Sequence, residues 1–327
     1  MNIDVHAHAV IPRYNQMLAA AGAAIPGYGS GTPAPANTED IATDSVDALS
    51  RRIALMDAAG VDRQLLSAIY APYLADETDA VAAARCVNDA HASAVARHPA
   101  RLGAYAALPL PHVNASIAEL HRCLDELGMV GVALQCSCLG DSIAAARFDP
   151  LFAELNRRRA VVFFHPCING LCSALLTDWG LAPTAGAVFE DTTVALHLIV
   201  RRIPHRFPNI TIIIAHLGGA LPMMLNRLDN QLPRSYPELP EQPSRTARRF
   251  FYDSVGHGSV AALRCALEAF GANRILLGSD YPVLMPFESY RETVGYLSNT
   301  QAAPSALLHI VSNNAAQIFA RHRDREV

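Results

Sequence analysis

The chain has 327 residues, 26 basic side chains against 30 acidic ones, and a formal charge of −4. Every basic residue is arginine, and the lack of lysine excludes a Schiff-base enzyme, a Walker A phosphate loop, a lysine general base and a metal pair bridged by a carboxylated lysine. Mild acidity argues against nucleic acid as a partner, and 51% hydrophobic content argues against disorder; seven cysteines without a signal-peptide or membrane-spanning pattern point to a reduced, cytoplasmic protein.

Short apolar runs alternate with longer helical patterns. Strands are expected at residues 3–8, 64–69, 102–108, 130–135, 161–165, 210–216, 250–254 and 274–279. Several are apolar almost without alternation, as in Val161-Val162-Phe163-Phe164, which suits parallel strands buried on both faces. Helical spacing predicts helices over 44–59, 79–98, 115–127, 150–159, 192–207, 259–270 and 305–320. Strand–helix alternation repeated eight times predicts an α/β fold, a (β/α)₈ TIM barrel, as one domain over residues 1–327. An open doubly wound sheet is the competitor, but no Gly-rich dinucleotide turn follows the first strand. Residues 10–43, rich in Ala, Gly and Pro, are expected to form a lid-like insertion on the active face; the Pro-rich stretch 230–247 is expected as a second face loop or an interface arm.

The chemistry sits at the strand ends. His6 and His8 lie two residues apart on the first strand and therefore point to one side. His165 ends the fifth strand, His216 ends the sixth, and Asp280 follows the eighth. Imidazole and carboxylate donors converging at one barrel mouth suit zinc, with manganese or iron as alternatives. Cys136, Cys138, Cys167 and Cys172 read as buried or incidental thiols.

HAH at residues 6–8, Phe164-His165-Pro166, His216-Leu217-Gly218-Gly219, Gly278-Ser279-Asp280-Tyr281-Pro282 and Asn313-Asn314-Ala315 resemble the amidohydrolase superfamily. More narrowly, they resemble its branch of aminocarboxymuconate-semialdehyde, γ-resorcylate and 6-methylsalicylate decarboxylases. The resemblance covers nearly the whole chain. The intact HAH is closer to the first and third of these groups than to the γ-resorcylate enzymes, which more often begin with Glu. The resemblance implies one Zn²⁺ per subunit (Mn²⁺ or Fe²⁺ possible) on His6, His8, His165 and Asp280, with His216 as acid/base and Asp280 also catalytic. It implies a substrate-carboxylate role for Arg52, or its neighbour Arg51, and an Arg227 that crosses a homodimer interface into the neighbouring site. Trp179, the only tryptophan, is a candidate for the pocket wall.

The expected function is metal-dependent, non-oxidative decarboxylation of a small aromatic or muconate-type carboxylic acid. A metal-dependent hydrolase or hydratase of a lactone, amide or unsaturated acid is the alternative, and a non-catalytic ligand-binding barrel is a third. No nucleic acid or membrane partner is expected.

Overall fold

The computed structural model describes residues 1–23 and 45–323. Eight strands run in chain order around one sheet: β1 (Ile3–Ala9), β2 (Arg63–Ala68), β3 (Leu102–Ala107), β4 (Gly131–Gln135), β5 (Val161–His165), β6 (Thr211–Ile214), β7 (Phe251–Asp253) and β8 (Ile275–Leu276). All neighbouring pairs are parallel. The ends of the sheet meet, because Val5 N donates to the Leu277 carbonyl at 2.9 Å and Asp280 N to the His6 carbonyl at 2.8 Å. The result is the expected barrel with helices outside it.

Two apolar clusters hold the barrel. One lies between strands and helices; the other fills the lumen with Ile3, Val5, Leu65, Tyr105, Val161 and Phe163, among others. Ala315, Ile318 and Phe319 of the final helix (Asn314–Arg323) belong to this inner cluster and plug the N-terminal end of the barrel. Burying each such aromatic or aliphatic side chain contributes roughly 2 kcal/mol.

The strand that carries HAH changes face part-way. Ile3 and Val5 belong to the inner cluster, whereas Ala7 and Ala9 belong to the outer one. The pairing of β1 with β2 slips between Asp4 and Ala7. A slip of this kind reverses which parity faces inward, so His6 and His8 replace the aliphatic side chains at the top of the lumen.

Several helices depart from the expected spans. The run 192–207 is two helices, Ala187–Val200 and Ile203–Arg206, because Arg202 turns left-handed (φ 56°) just before Pro204. The run 305–320 is likewise interrupted, as Pro304–Leu308, a wide turn His309–Asn313, and the final helix. In the Pro-rich stretch 230–247, helix Leu221–Ser235 continues through Pro233, and a short helix Pro243–Ala247 folds back on it through Ser244 bonds to Asp229. Of the expected insertion 10–43, Pro12–Ala20 is helical, and 24–43 lies outside the described residues. No helix among the described residues is long and apolar enough to cross a membrane.

Candidate active site

Four imidazoles meet at the C-terminal mouth of the barrel, and each is tied back through Nδ1. His6 Nδ1 lies 2.8 Å from Asp253 Oδ2, and His216 Nδ1 lies 2.8 Å from Asp191 Oδ2. His165 Nδ1 lies 3.0 Å from the Pro166 carbonyl, and His8 Nδ1 lies 3.0 Å from Ser67 Oγ. A carbonyl or carboxylate can only accept, so the proton of His6, His165 and His216 sits on Nδ1. Ser67 Oγ also lies 3.2 Å from the Ala7 carbonyl, within donating reach. All four rings therefore turn Nε2 inward, the arrangement second-sphere partners impose on metal-binding histidines.

Asp280 faces those nitrogens. Its Oδ1 lies 2.9 Å from His8 Nε2 and 3.3 Å from His6 Nε2, and its Oδ2 lies 3.5 Å from His216 Nε2. Donor atoms of His6, His165, His216 and Asp280 fall within 4.8 Å of one another. His6 Nε2 and His8 Nε2 are 3.2 Å apart. Two nitrogens bound to one ion at about 2.1 Å would be roughly 3.0–3.4 Å apart, so this spacing fits a shared cation. Asp280 Oδ1 is buried and accepts no hydrogen bond of ordinary geometry, which is an orphaned atom that a cation would satisfy. The donor set and its spacing thus fit one divalent metal.

The electrostatics are strongly coupled. Burial alone would depress the His6 imidazole, but the carboxylates of Asp253 and Asp280 outweigh it and raise it to about 9. Burial likewise opposes charge on His216, and Asp191 and Asp280 overcome it, so His216 is raised well above the usual value. His165 is held well below it by burial and by the neighbouring imidazoles. Burial would lift Asp280, yet the surrounding histidines keep it well below the ordinary carboxylate range.

The backbone around these residues is strained where the site needs it. His216 and Asp280 are left-handed (φ 50° and 55°), and so is Leu217 (φ 55°). Gly219 closes the His216 turn at φ 63°, where an added Cβ would stand 2.1 Å from the Val188 carbonyl. This close approach seats the turn on helix Ala187–Val200, the helix that presents Asp191. Gly278 allows His6 and Asp253 to meet, since its Cβ would lie 2.9 Å from Asp253 Cβ and 3.1 Å from His6 Cβ.

The remaining candidates lie elsewhere. Arg52 is buried behind β1, donating to Gln64 Oε1 at 2.6 Å and to the His8 carbonyl at 2.7 Å, with its guanidinium 4.4 Å over the Tyr281 ring. Gln64 in turn donates to Asp4, which also accepts from Ser279 and Tyr290. This network stitches the rear of β1 to β2 and to the Asp280 segment. Arg51 and Arg227 are exposed, the latter on helix Leu221–Ser235. Trp179 is 77% exposed, near Leu175 in sequence at 79%. The thiols of Cys136, Cys138 and Cys167 are pushed up by burial, and none of them belongs to the donor group of His6, His165, His216 and Asp280. Sequence reading missed Asp253, Asp191 and Ser67. Asp253 lies inside the strand expected at 250–254 and was in principle visible; Asp191 and Ser67 become partners only through the packing.

A family model described as amidohydrolase matches residues 3–321. The γ-resorcylate decarboxylase of Rhizobium radiobacter is 30% identical over 291 residues, covering 84% of this chain and 88% of its own. The 6-methylsalicylic acid decarboxylase of Penicillium expansum is 28% identical over 252 residues, covering 75% and 77%. The structure of a dihydroxybenzoic acid decarboxylase from Polaromonas, with bound manganese and the inhibitor 2-nitroresorcinol, superposes with a TM-score of 0.83 at 26% identity, covering 100% of this chain and 98% of that one.

Proposed function

Since the chain belongs to the amidohydrolase family, we propose from its mouth of inward-facing Nε2 atoms around Asp280 that it is a metal-dependent, non-oxidative decarboxylase of small aromatic carboxylic acids. The relatives named above are decarboxylases of such acids, which favours this reading over hydrolysis or hydration. The observation that carries it is the set of four imidazoles, each fixed at Nδ1, facing one buried carboxylate.

His6, His8, His165 and Asp280 would hold the ion. The histidine-rich donor set suits zinc, and manganese is the alternative. A bound divalent ion would polarise the oxygens of the substrate carboxylate and a neighbouring hydroxyl. The chain supplies the proton. Charged His216 carries Nε2–H towards the mouth, with Asp191 steadying the imidazolium from behind. Transfer of that proton to the ring carbon bearing the carboxylate lets the C–C bond break, and the bonding pair restores the ring as CO₂ leaves. Water then reprotonates His216, so one proton is consumed for each CO₂ released.

Arg52 acts here through His8, whose carbonyl it holds. Arg227 is assigned to a homodimer interface, across which it would enter the neighbouring site; Trp179, expected at the pocket wall, is 77% exposed. Seven free thiols favour a reducing cytoplasm.

The test is mass spectrometry of products from metal-loaded protein and a panel of hydroxybenzoic acids, muconate semialdehydes, lactones and amides. Loss of CO₂ from a panel acid is expected. Addition of water to a lactone, amide or unsaturated acid instead would overturn the assignment.

A further inference from the structure

Directly after His165 the chain makes an unusual loop. Ile168, Leu171 and Cys172 are all left-handed, with φ of 58°, 56° and 57°. A β-branched residue in that region costs of order 1–2 kcal/mol, so something outside the loop must hold it. That holder is Glu190, 1% exposed on helix Ala187–Val200. Its Oε2 accepts from Cys167 N at 2.5 Å and Ile168 N at 3.1 Å, and its Oε1 accepts from Asn169 N and Gly170 N, both at 2.9 Å. Successive amides converging in this way form an anion-binding nest, and here the protein fills it with its own carboxylate. No other side chain is bonded to Glu190 among the described residues. Burial pushes its carboxyl up, and the four N–H groups work against that.

The peptide unit joining Pro166 to Cys167 makes this more than a loop clamp. Its N–H points to Glu190 Oε2, and its carbonyl receives His165 Nδ1 at 3.0 Å. The two hydrogen bonds share one planar amide, so orientation and polarisation pass through it. We propose that Glu190 is a positioning residue for the metal ligand His165, fixing its tautomer and ring plane through the Pro166–Cys167 peptide. The adjacent residue, Asp191, performs the same service for His216 directly. One turn of one helix therefore sets two imidazoles of the mouth. The inference rests on the metal-site reading above but not on the reaction assigned to it.

The experiment compares zinc affinity of the metal-stripped full chain and its Glu190→Gln variant, by competition with a chromophoric chelator. Glutamine keeps the shape but leaves one of the two oxygens as an amide nitrogen that cannot accept. The expected result is 10–100-fold weaker zinc binding, the range typical for loss of an outer-sphere partner, together with faster amide exchange at residues 167–170. Equal affinity in a folded variant overturns the proposal while leaving the metal site standing. A parent chain that binds no zinc or manganese refutes the metal reading and this inference with it. Should the variant fail to fold, ¹⁵N-detected imidazole spectra of the metal-free parent decide: His165 protonated on Nδ1 supports the proposal, and protonation on Nε2 overturns it.

Discussion

His6 and Asp253 meet at 2.8 Å with neither side chain exposed, although 247 residues separate them in the chain. Asp253 Oδ1 is occupied as well, accepting from the backbone of His216 and Val255. One carboxylate thus sets the ring of one cluster histidine and the main chain of another. In Asp253→Asn, an amide nitrogen facing His6 Nδ1–H would force either a flipped ring or the wrong tautomer. Metal content measured by plasma mass spectrometry should fall at least tenfold, and turnover with it.

His216 and the metal ligands should separate in their mutational signatures. His216→Ala removes the proton donor assigned above but none of the four assigned ligands. Turnover is expected to drop by 10²–10⁴, with metal content close to that of the parent. Loss of the ion in this variant would make His216 a ligand instead.

His91 offers a pH test away from the mouth. It is fully buried on helix Glu77–Arg97, and neither ring nitrogen makes a hydrogen bond of ordinary geometry. Burial lowers its imidazole to about 4 from 6.5. A folded value below the unfolded one gives stability that is complete above pH 6.5 and is lost as the pH falls towards 4. The contribution is of order 3 kcal/mol. Denaturant midpoints at pH 7.5 and pH 5, taken with chelator present, should differ less in His91→Leu than in the parent.

Gly219→Ala should be severe. The new methyl group would overlap the Val188 carbonyl, and φ of 63° already penalises a side chain. Thermal unfolding is expected to show a loss of about 3 kcal/mol or more, or no folded protein.

The proposed homodimer can be tested by complementation. Arg227→Ala and His216→Ala chains should each be nearly inactive alone. Mixed after unfolding and refolding, they should recover about a quarter of parental activity, since half of the dimers would hold one complete site of two. No recovery, with mixed dimers present by mass spectrometry, would place Arg227 outside the neighbouring site.

The strand order, the helical alternation and the five polar residues at the mouth were legible in the chain, because buried parallel strands are apolar throughout and a polar residue at their end stands out. The strand expected at 161–165 matches β5 residue for residue. Strands expected at 250–254 and 274–279 shrink to Phe251–Asp253 and Ile275–Leu276, since pairing, not composition, sets where a strand stops. Helix 192–207 was overextended because its periodicity continues across the left-handed Arg202.

The sequence by itself therefore determined the barrel class and which residues could bring donor atoms to its mouth, since both follow from local periodicity and position along the strand. Tertiary structure decided how those donors are aimed. The slip between Asp4 and Ala7 turns His6 and His8 inward. Asp253, Ser67, the Pro166 carbonyl and Asp191 fix the rings. Arg52, expected from the sequence as a substrate anchor, is placed behind β1, donating to Gln64 and to the His8 carbonyl. A hydrogen bond is specified by distance and direction in space, and partners separated by up to 247 residues acquire both only when the barrel closes.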